Sequence, residues 1–403
     1  MAYCTLEKTF YADASSDRYA NVEELYTSRF NSESTYRTGI ELESGEMFLS
    51  VPHELLYNTE QVLRKERRVS ALWRDLPIVA LGAYVRSLIM DEVVYSNEIE
   101  GVHSTRRQIE EALAANDKSA HAPFVEFAQL YLNLSNNPPM PQSLQDIRRI
   151  YDSVVADAIS PEDLPGDGLF RSGPVEILNQ HGKTVHKGVY PPQKIEEMMS
   201  AWLGLSQRED IPELYAAALC HFLFGYIHPF FDGNGRTGRY LLALRLSRPL
   251  SQPTVLSLSR VIAENKATYY RAFDAVERPL NRSDATSFVI AILDLISDAQ
   301  DGLIANLEEK KRALDGLFEC VHNLEGEFSK RQLEALCYAA QIHLYSIFGE
   351  IRLDGLREYL DVSLPTARNC AKELERLELM SRVSQRPPIY KLTDVGAELL
   401  GIG

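Results

Sequence analysis

The sequence predicts a mainly α-helical protein with one β-hairpin and a C-terminal winged helix-turn-helix. Three observations lead to this fold class. Apolar residues recur at helical spacing over most of the chain from residue 52 to about residue 324. A strand–turn–strand pattern interrupts that periodicity at residues 175–186. Residues 330–392 then give three helices followed by two short strands, the order of a helix-turn-helix with a wing.

The composition is typical of a globular protein that works in the cytoplasm. The 403 residues are 45% hydrophobic and 25% charged, and the formal net charge of −15 argues against non-specific coating of nucleic acid or anionic membrane. The five cysteines include no C-x-x-C pair, which indicates reduced thiols and no zinc site. The N-terminal residues lack the pattern of a signal peptide, and the most apolar stretch, 215–227, is too short to cross a bilayer. We therefore expect a cytoplasmic location and no membrane partner.

Glycines and prolines mark where the predicted helices and strands end. A long apolar-periodic helix is expected to stop at Gly101, a residue suited to a helix C-cap. Residues 1–50 are polar and show little periodicity. Residues 175–178 and 184–186 predict two strands joined by a turn at 179–183, the only clear hairpin in the first 300 residues. Because an isolated hairpin is marginally stable, it must lie on the helical body.

Residues 228–239, His-Pro-Phe-Phe-Asp-Gly-Asn-Gly-Arg-Thr-Gly-Arg, predict a phosphate-binding loop. The Gly-Asn-Gly run at 233–235 tolerates positive φ, so successive backbone N–H groups can converge on an anion. A helix resumes at Arg236, which places the loop at a helix N-terminus, where phosphate binds readily. Arg236 and Arg239 share one face of that first turn, although cations are disfavoured there by the helix dipole. A bound phosphate would resolve this conflict.

Two further side chains of the same run suit metal and acid–base chemistry. Asp232 supplies a hard oxygen ligand beside the phosphates, which suits Mg²⁺. His228 can accept a proton near neutral pH. A glycine turn between two packed helices, with a core histidine, is the structural alternative. The combination of histidine, aspartate and two arginines favours the phosphate site.

The run resembles the signature of the Fic family, H-P-F-x-[D/E]-G-N-G-R-x-x-R, and matches every specified position. The resemblance implies a Fic-type helical bundle that uses Mg²⁺ and ATP to transfer AMP to a Ser, Thr or Tyr hydroxyl of a target protein. It implies that His228 deprotonates this hydroxyl and that Asp232 holds Mg²⁺ on the α- and β-phosphates. The nucleotide-binding residues implied by the resemblance are Gly233, Asn234, Gly235, Arg236, Thr237, Gly238 and Arg239.

A second motif lies upstream, at residues 96–101. It resembles the inhibitory motif of the family, [S/T]-x-x-x-E-[G/N], with Ser96, Glu100 and Gly101 at the set positions. Ser96 and Glu100 share a helix face, and a glutamate in the last turn needs a cationic partner because the dipole disfavours an anion there. The resemblance implies that this partner is Arg239, so that Glu100 blocks the γ-phosphate site within the same chain. An exposed glutamate at a charged helix end is the structural alternative.

Two further assignments follow from the resemblance. The 175–190 hairpin is similar to the flap of the family, where a target segment adds by β-pairing, and Val185 and His186 lie on the pairing strand. Tyr269 and Tyr270 match a tyrosine pair that lies near the adenine in relatives. A purely structural hairpin and aromatic core filling are the respective alternatives.

The tail of the chain leaves two kinds of partner open. Arg368, Lys372 and Arg376 recur every four residues along the third tail helix, which indicates a DNA-reading stripe. However, residues 328–403 hold ten Lys/Arg and ten Asp/Glu, a balance that is weak for DNA. A protein-interaction or regulatory module is the alternative.

Together these observations divide the chain into four segments. They are an N-terminal helical region with the inhibitory motif (1–115), the Fic catalytic core (116–296), a connecting helix (297–327) and the winged-helix domain (328–403). We predict a self-inhibited protein adenylyltransferase whose target is another protein or itself. Removal of AMP by the same enzyme and a homodimer are left open. The alternative is a DNA-binding regulator with a nucleotide-sensing Fic core.

Overall fold

A computed structural model describes residues 3–114, 123–156, 158–178 and 184–403. The predicted mainly α-helical class is confirmed. The strands of the described residues are β1 (Thr35–Leu42), β2 (Gly45–Ser50), β3 (Glu176–Leu178), β4 (Thr184–Lys187), β5 (Ile351–Arg352), β6 (Met380–Gln385) and β7 (Pro388–Leu392). The helices are α1 (Leu6–Ala12), α2 (Arg18–Phe30), α3 (His53–Arg74), α4 (Ile78–Ile99), α5 (Arg106–Ala114), α6 (Val125–Asn133), α7 (Leu144–Val155), α8 (Pro192–Ser206), α9 (Glu213–Ile227), α10 (Asn234–Leu246), α11 (Gln252–Val255), α12 (Leu258–Glu264), α13 (Lys266–Glu277), α14 (Thr286–Asn323), α15 (Lys330–Tyr345), α16 (Leu353–Leu360), α17 (Leu364–Arg376) and α18 (Asp394–Leu399).

A β-hairpin near the N-terminus corrects the expectation that residues 175–186 form the only hairpin of the first 300. Strands β1 and β2 pair antiparallel, with Thr35 opposite Ser50 at one end and Leu42 opposite Gly45 at the turn. Residues 46–50 of β2 are all buried, so this strand has no apolar–polar alternation to detect. Phe48 bonds through its backbone to the segment before α14, which covers the hairpin.

The chain divides into two compact units, of which the first comprises Met1–Glu66 and Ile89–Asp301. Its core contains α9, whose residues 214–224 are all buried, as expected for a core helix. Trp202 of α8 packs there and donates from Nε1 to the carbonyl of Cys220 at 2.8 Å. Among the described residues, no helix has both the length and the apolar character needed to span a membrane.

The second unit comprises Arg67–Leu88 and Gly302–Gly403. Its α15 begins with a capping box between Ser329 and Gln332. Three helices (α15, α16 and α17) and the strands β6 and β7 follow in the order expected from the sequence, and the strands form an antiparallel sheet in the order β5-β7-β6. The four-segment division stays a prediction, and its first boundary, 115/116, lies outside the described residues.

Candidate active site

The loop between α9 and α10 adopts two left-handed backbone conformations. His228 caps α9 with a φ of 52°, and its N–H donates to the carbonyl of Phe224 at 3.0 Å. Gly233, which precedes α10, has a φ of 79°. A Cβ at Gly233 would lie 2.4 Å from Cγ1 of Val155, so both backbone conformation and space require glycine there. The chain therefore turns sharply between α9 and α10.

The side chain of Asn234 stabilises this loop. Its Oδ1 accepts from the N–H of Phe230 at 2.9 Å, and its Nδ2 donates to the carbonyl of Phe230 at 2.8 Å. Phe230 is fully buried and stacks on Tyr151, with ring centroids 3.6 Å apart. Because the side-chain amide of Asn234 is used within the loop, this side chain is not available to an anion, whereas the backbone N–H groups of the first turn of α10 are.

Arg236 is a fully buried cation whose hydrogen-bonding groups are unused. Its side chain is 0% exposed, and Nε, Nη1 and Nη2 have no hydrogen-bond partner among the described residues. The nearest carboxylate oxygen, Oδ2 of Asp232, is 3.9 Å from Nη2. Burial lowers the pKa of Arg236, since it penalises the charged form. A buried guanidinium without acceptors is costly, and an anionic ligand would supply the missing acceptors.

Arg239, one turn further along α10, is bound by the end of α4. Its Nη1 donates to Oε1 of Glu100 at 2.7 Å. Its Nε donates to Oγ of Ser96 at 3.0 Å and its Nη2 to the backbone carbonyl of Ser96 at 2.7 Å. Burial raises the pKa of Glu100, but the charge and hydrogen bond of Arg239 outweigh it, so this pKa lies below its ordinary value. The two residues therefore form a charged pair, and all three guanidinium nitrogens of Arg239 are occupied.

The last turn of α4 explains why the carbonyl of Ser96 is available to Arg239. The N–H of Glu100 donates to Asn97 at 3.0 Å and not to the carbonyl four residues back, so the helix tightens at its end. Gly101 follows with a φ of 74°, the left-handed conformation typical of a helix C-cap. The carbonyl of Ser96 is left without its helical partner and accepts from Arg239.

The carboxylate of Glu100 lies directly against the N-terminal turn of α10. A Cβ built on Gly235 would be 1.9 Å from Oε1 of Glu100. Gly235 therefore has to be glycine for the glutamate to approach so closely. The N-terminus of α10, where an external phosphate would bind, is occupied by an internal anion.

His228 precedes the N-terminal turn of α10 in the loop, and its imidazole is a neutral base. We call the group formed by this turn, Arg236 and Arg239 the cradle. Burial, followed by the charge of His186, lowers the pKa of His228 to about 4. The two imidazole rings lie 6.1 Å apart. At neutral pH the ring is therefore unprotonated and can accept a proton.

Asp232 fits the predicted Mg²⁺ in its chemistry. Its side chain is 51% exposed at the mouth of the loop, and Oδ1 accepts from the N–H of Gly233. Among the described residues, no group of three or more His, Cys, Asp or Glu side chains could hold a metal. Mg²⁺ commonly binds through one carboxylate, with phosphates and water completing its shell. The single exposed carboxylate is consistent with that arrangement.

The β3–β4 hairpin stands over the loop with its two predicted docking residues turned to opposite sides. Val185 is 53% exposed. His186 faces inwards, with Nδ1 2.7 Å from Oε2 of Glu277 and Nε2 3.0 Å from the carbonyl of Tyr226. His186 thus anchors β4 to the helical body, while Val185 faces solvent. The predicted turn at 179–183 lies outside the described residues.

The two adjacent tyrosines of α13 also face opposite sides, one towards the core and one towards solvent. Tyr269 is 4% exposed, and its hydroxyl bonds to Nε2 of His221 at 2.7 Å inside the core. Tyr270 is 44% exposed. Lys266, whose Nζ lies 5.9 Å from the ring of Tyr270, donates to the carbonyl of Ile99 at the end of α4. Tyr270 is therefore the member of the pair that a nucleotide base can reach.

Three residues of this region were missed from the sequence. Arg171 bonds to the backbone of His228, and Tyr151 supports the loop. Glu92 is buried, and its carboxylate accepts from Ser259 at 2.6 and 2.8 Å. Burial raises the pKa of Glu92 to about 7. A signal for Glu92 was present, because it precedes Ser96 by four residues and therefore lies on the same helix face.

The site thus combines a buried arginine without acceptors among the described residues, a neutral histidine and an internal glutamate at the start of one helix. Comparisons with known proteins give one family for this region. Residues 141–246 match the model of the Fic/DOC family. This part of the chain is therefore similar to Fic/DOC domains.

Two curated relatives and one solved structure are similar to the chain. The proteins named "Protein adenylyltransferase Fic" from Drosophila grimshawi and Drosophila mojavensis are each 26% identical over 230 residues, which is 55% of this chain. The matches cover 44% and 42% of those relatives, so the chain spans less than half of their length. The crystal structure of a Fic family protein from Desulfovibrio desulfuricans aligns with a TM-score of 0.52 at 19% identity, covering 86% of this chain and 97% of that one. This likeness shows the fold.

Proposed function

We propose that the protein is a self-inhibited protein adenylyltransferase, which transfers AMP from ATP to a Ser, Thr or Tyr hydroxyl of a target protein. One observation carries the proposal. The buried guanidinium of Arg236 lacks acceptors in the same cradle where Glu100 holds Arg239. An ATP triphosphate would supply acceptors to Arg236 and compete with Glu100 for Arg239. The similarity to Fic/DOC domains and the names of the curated relatives support the same reaction.

The chemistry requires positioning and one proton transfer. The hydroxyl oxygen of the target attacks the α-phosphorus, the bond to the β-phosphate oxygen breaks, and pyrophosphate leaves. Nε2 or Nδ1 of neutral His228 accepts the proton of the hydroxyl. Backbone N–H groups at the start of α10 and the guanidinium of Arg236 stabilise the charge on the phosphates. Mg²⁺ held by Asp232 would neutralise further phosphate charge.

The flap and the tyrosine pair complete the substrate contacts in this proposal. The exposed face of β4, which includes Val185, would register an extended target segment so that its hydroxyl reaches His228. Tyr270, the exposed tyrosine, would contact the adenine base, while Tyr269 supports it from the core. Glu100 is proposed to block the γ-phosphate site. A second role of Glu100, orienting a water that removes AMP from a modified target, is tested by a separate assay on AMP-modified target.

An isotope experiment tests the reaction. Glu100→Gly protein is incubated with Mg²⁺, a cell extract and ATP labelled on either the α- or the γ-phosphate. AMP transfer predicts protein labelling from α-labelled ATP only, whereas a kinase would label from γ-labelled ATP only. Parallel reactions with GTP, UTP and CTP define the base. The proposal is wrong if no nucleotide labels protein above the level of the same variant carrying His228→Asn.

The tail supports a second candidate function, the DNA-binding regulator. Arg368, Lys372 and Arg376 are exposed along α17, and none of them has a carboxylate within 4.0 Å among the described residues. By contrast, Lys330 and Arg357 of the same unit lie next to Glu334 and Glu358. Three unpaired cations on the helix that follows a tight turn favour a winged-helix module that contacts DNA phosphates.

A gel-shift titration with genomic DNA fragments at about 0.15 M salt tests this function. Replacing Arg368, Lys372 and Arg376 together with Gln is expected to weaken binding, and the salt dependence should become shallower by about 0.9 in log–log slope for each lost phosphate contact. Lys330→Gln with Arg357→Gln is the matched control. Absence of binding by the unmodified protein would exclude DNA and favour a protein partner for the tail, and equal binding by the triple variant would exclude α17 as the helix that contacts DNA.

A further inference from the structure

Arg171 is a buried cation that has no carboxylate partner among the residues that the structure describes. Its side chain is 0% exposed, and burial lowers its pKa to about 10, with no nearby acid to raise it. Its side-chain hydrogen bonds to the described residues all go to backbone carbonyls. Nε donates to His228 at 2.8 Å and Nη1 to Gly173 at 2.5 Å. Nη2 donates to Val189 and, at 3.5 Å, to Ile227.

These carbonyls belong to two parts of the site that the sequence places far apart. Gly173 and Val189 flank the β3–β4 hairpin, whereas Ile227 and His228 form the end of α9 and the start of the loop. Two backbone bonds join the same parts. The N–H of Arg171 donates to Pro229 at 3.0 Å, and the N–H of Val189 donates to Ile227 at 3.1 Å.

The guanidinium of Arg171 packs closely against Gly188 of the hairpin segment. A Cβ at Gly188 would lie 2.6 Å from Nη2 of Arg171, 2.7 Å from Cγ1 of Val175 and 3.2 Å from Cβ of His228. A side chain at residue 188 would therefore collide with the guanidinium of Arg171, so the close approach of the hairpin to this arginine requires glycine. A lysine could keep the charge, but its single nitrogen could not reach carbonyls on both sides at once.

We infer that Arg171 is a positioning residue, which fixes the left-handed backbone of His228 and both ends of the β3–β4 hairpin as one unit. The base and the docking strand then keep a constant distance, so a hydroxyl registered on β4 meets the imidazole in a reactive geometry. The inference rests on the proposed function, since it assigns His228 as the base and β4 as the docking strand.

The charge of Arg171 has a separate effect from its geometry. The charged groups that act on the imidazole of His228 are Arg171, His186 of β4 and Glu100 after α4. The cation of Arg171 disfavours a protonated imidazole. Replacing Arg171 with a neutral residue should therefore raise the pKa of His228, whereas replacing it with lysine should not.

The experiment compares Arg171→Lys and Arg171→Gln, both in the Glu100→Gly background. Each variant is expected to lose about 100-fold in kcat, the order expected for a displacement of about 1 Å, with KM for ATP changed less than threefold. The imidazole pKa of His228, followed by NMR of labelled histidine, should rise in Arg171→Gln and stay at the parent value in Arg171→Lys. Arg64→Gln, which removes an exposed arginine from α3, is the control and should change neither quantity.

The NMR titration separates this inference from the proposed function because it needs no turnover. If the Glu100→Gly parent transfers no AMP but the histidine titrations differ as expected, the proposed function fails and the structural link between Arg171 and His228 stands. Parent-like kcat in either folded variant would overturn the positioning role. Loss of the folded NMR spectrum in both variants would also overturn it, in favour of a purely structural arginine.

Discussion

Glu100→Gly is expected to raise the rate of AMP transfer by about 100-fold over the unmodified protein, the gain expected if the competent state is populated at about 1%. The substitution removes the carboxylate that bonds to Arg239 and overlies Gly235. Nη1 of Arg239 is then free for the γ-phosphate, and the N-terminus of α10 is open to the triphosphate. Initial rates with α-labelled ATP at saturating concentration measure the change.

Two variants of α4 provide controls for this result. Glu98→Gly introduces the same flexibility two residues earlier, where the side chain is exposed, and should leave the rate unchanged. Glu100→Gln keeps the size and a hydrogen-bonding oxygen but removes the charge, so we expect an intermediate rate. Equal activation by Glu98→Gly would mean that flexibility of the helix end, and not the carboxylate, sets the rate.

Replacing His228 in the Glu100→Gly background is expected to reduce AMP transfer by about 1,000-fold while ATP binding is retained, since general base catalysis contributes about 10² to 10⁴. His228 has a φ of 52°, a conformation that Asn tolerates better than Ala. His228→Asn therefore removes the base with less strain than His228→Ala, and the two variants should be equally inactive. Calorimetry measures ATP binding, and residual transfer near the parent rate would exclude the histidine as the base.

The lowered pKa of His228 makes the same assignment testable by pH. With a pKa of about 4, the imidazole stays neutral down to pH 5.5, so kcat/KM should change little between pH 7.5 and 5.5. A histidine with the ordinary pKa of about 6.5 would lose about tenfold over that interval. Because the folded pKa is below the unfolded one, the histidine favours folding less as pH falls from about 6.5 towards 4. A tenfold loss of kcat/KM that follows a single protonation near pH 6.5 would contradict the buried, neutral histidine.

The parts of the structure that follow local rules were accessible from the sequence. The left-handed glycine of the loop, the helix that resumes after it and the glycine at the end of α4 all depend on neighbouring residues. The contact between Glu100 and Arg239 joins residues 139 apart, and only the family resemblance pointed to it. Local propensity carries no information on such a pair.

The parts that were missed depend on tertiary surroundings. Arg171 lies in a loop segment, and nothing near it in the sequence shows that its acceptors are distant carbonyls. β2 is buried on both faces, so its burial pattern lacks the strand period. Tyr269 and Tyr270 are adjacent and chemically identical, and only the position of His221 shows which of them enters the core.

At the end of α4, the glutamate that binds Arg239 lies beyond the last residue of the helix, while Glu92 stays buried two turns earlier. Withdrawing the glutamate therefore requires fraying of one helix terminus together with loss of the bond from Arg239. Such motions take nanoseconds to microseconds, far faster than typical turnover. We therefore expect the released state to be sampled many times within a catalytic cycle, with fast amide hydrogen exchange at Glu100 and Gly101 and slow exchange in the buried turn around Glu92. Under the proposed function, the end of α4 would therefore open and close rapidly, and the supply of nucleotide would determine how often ATP binds during an opening.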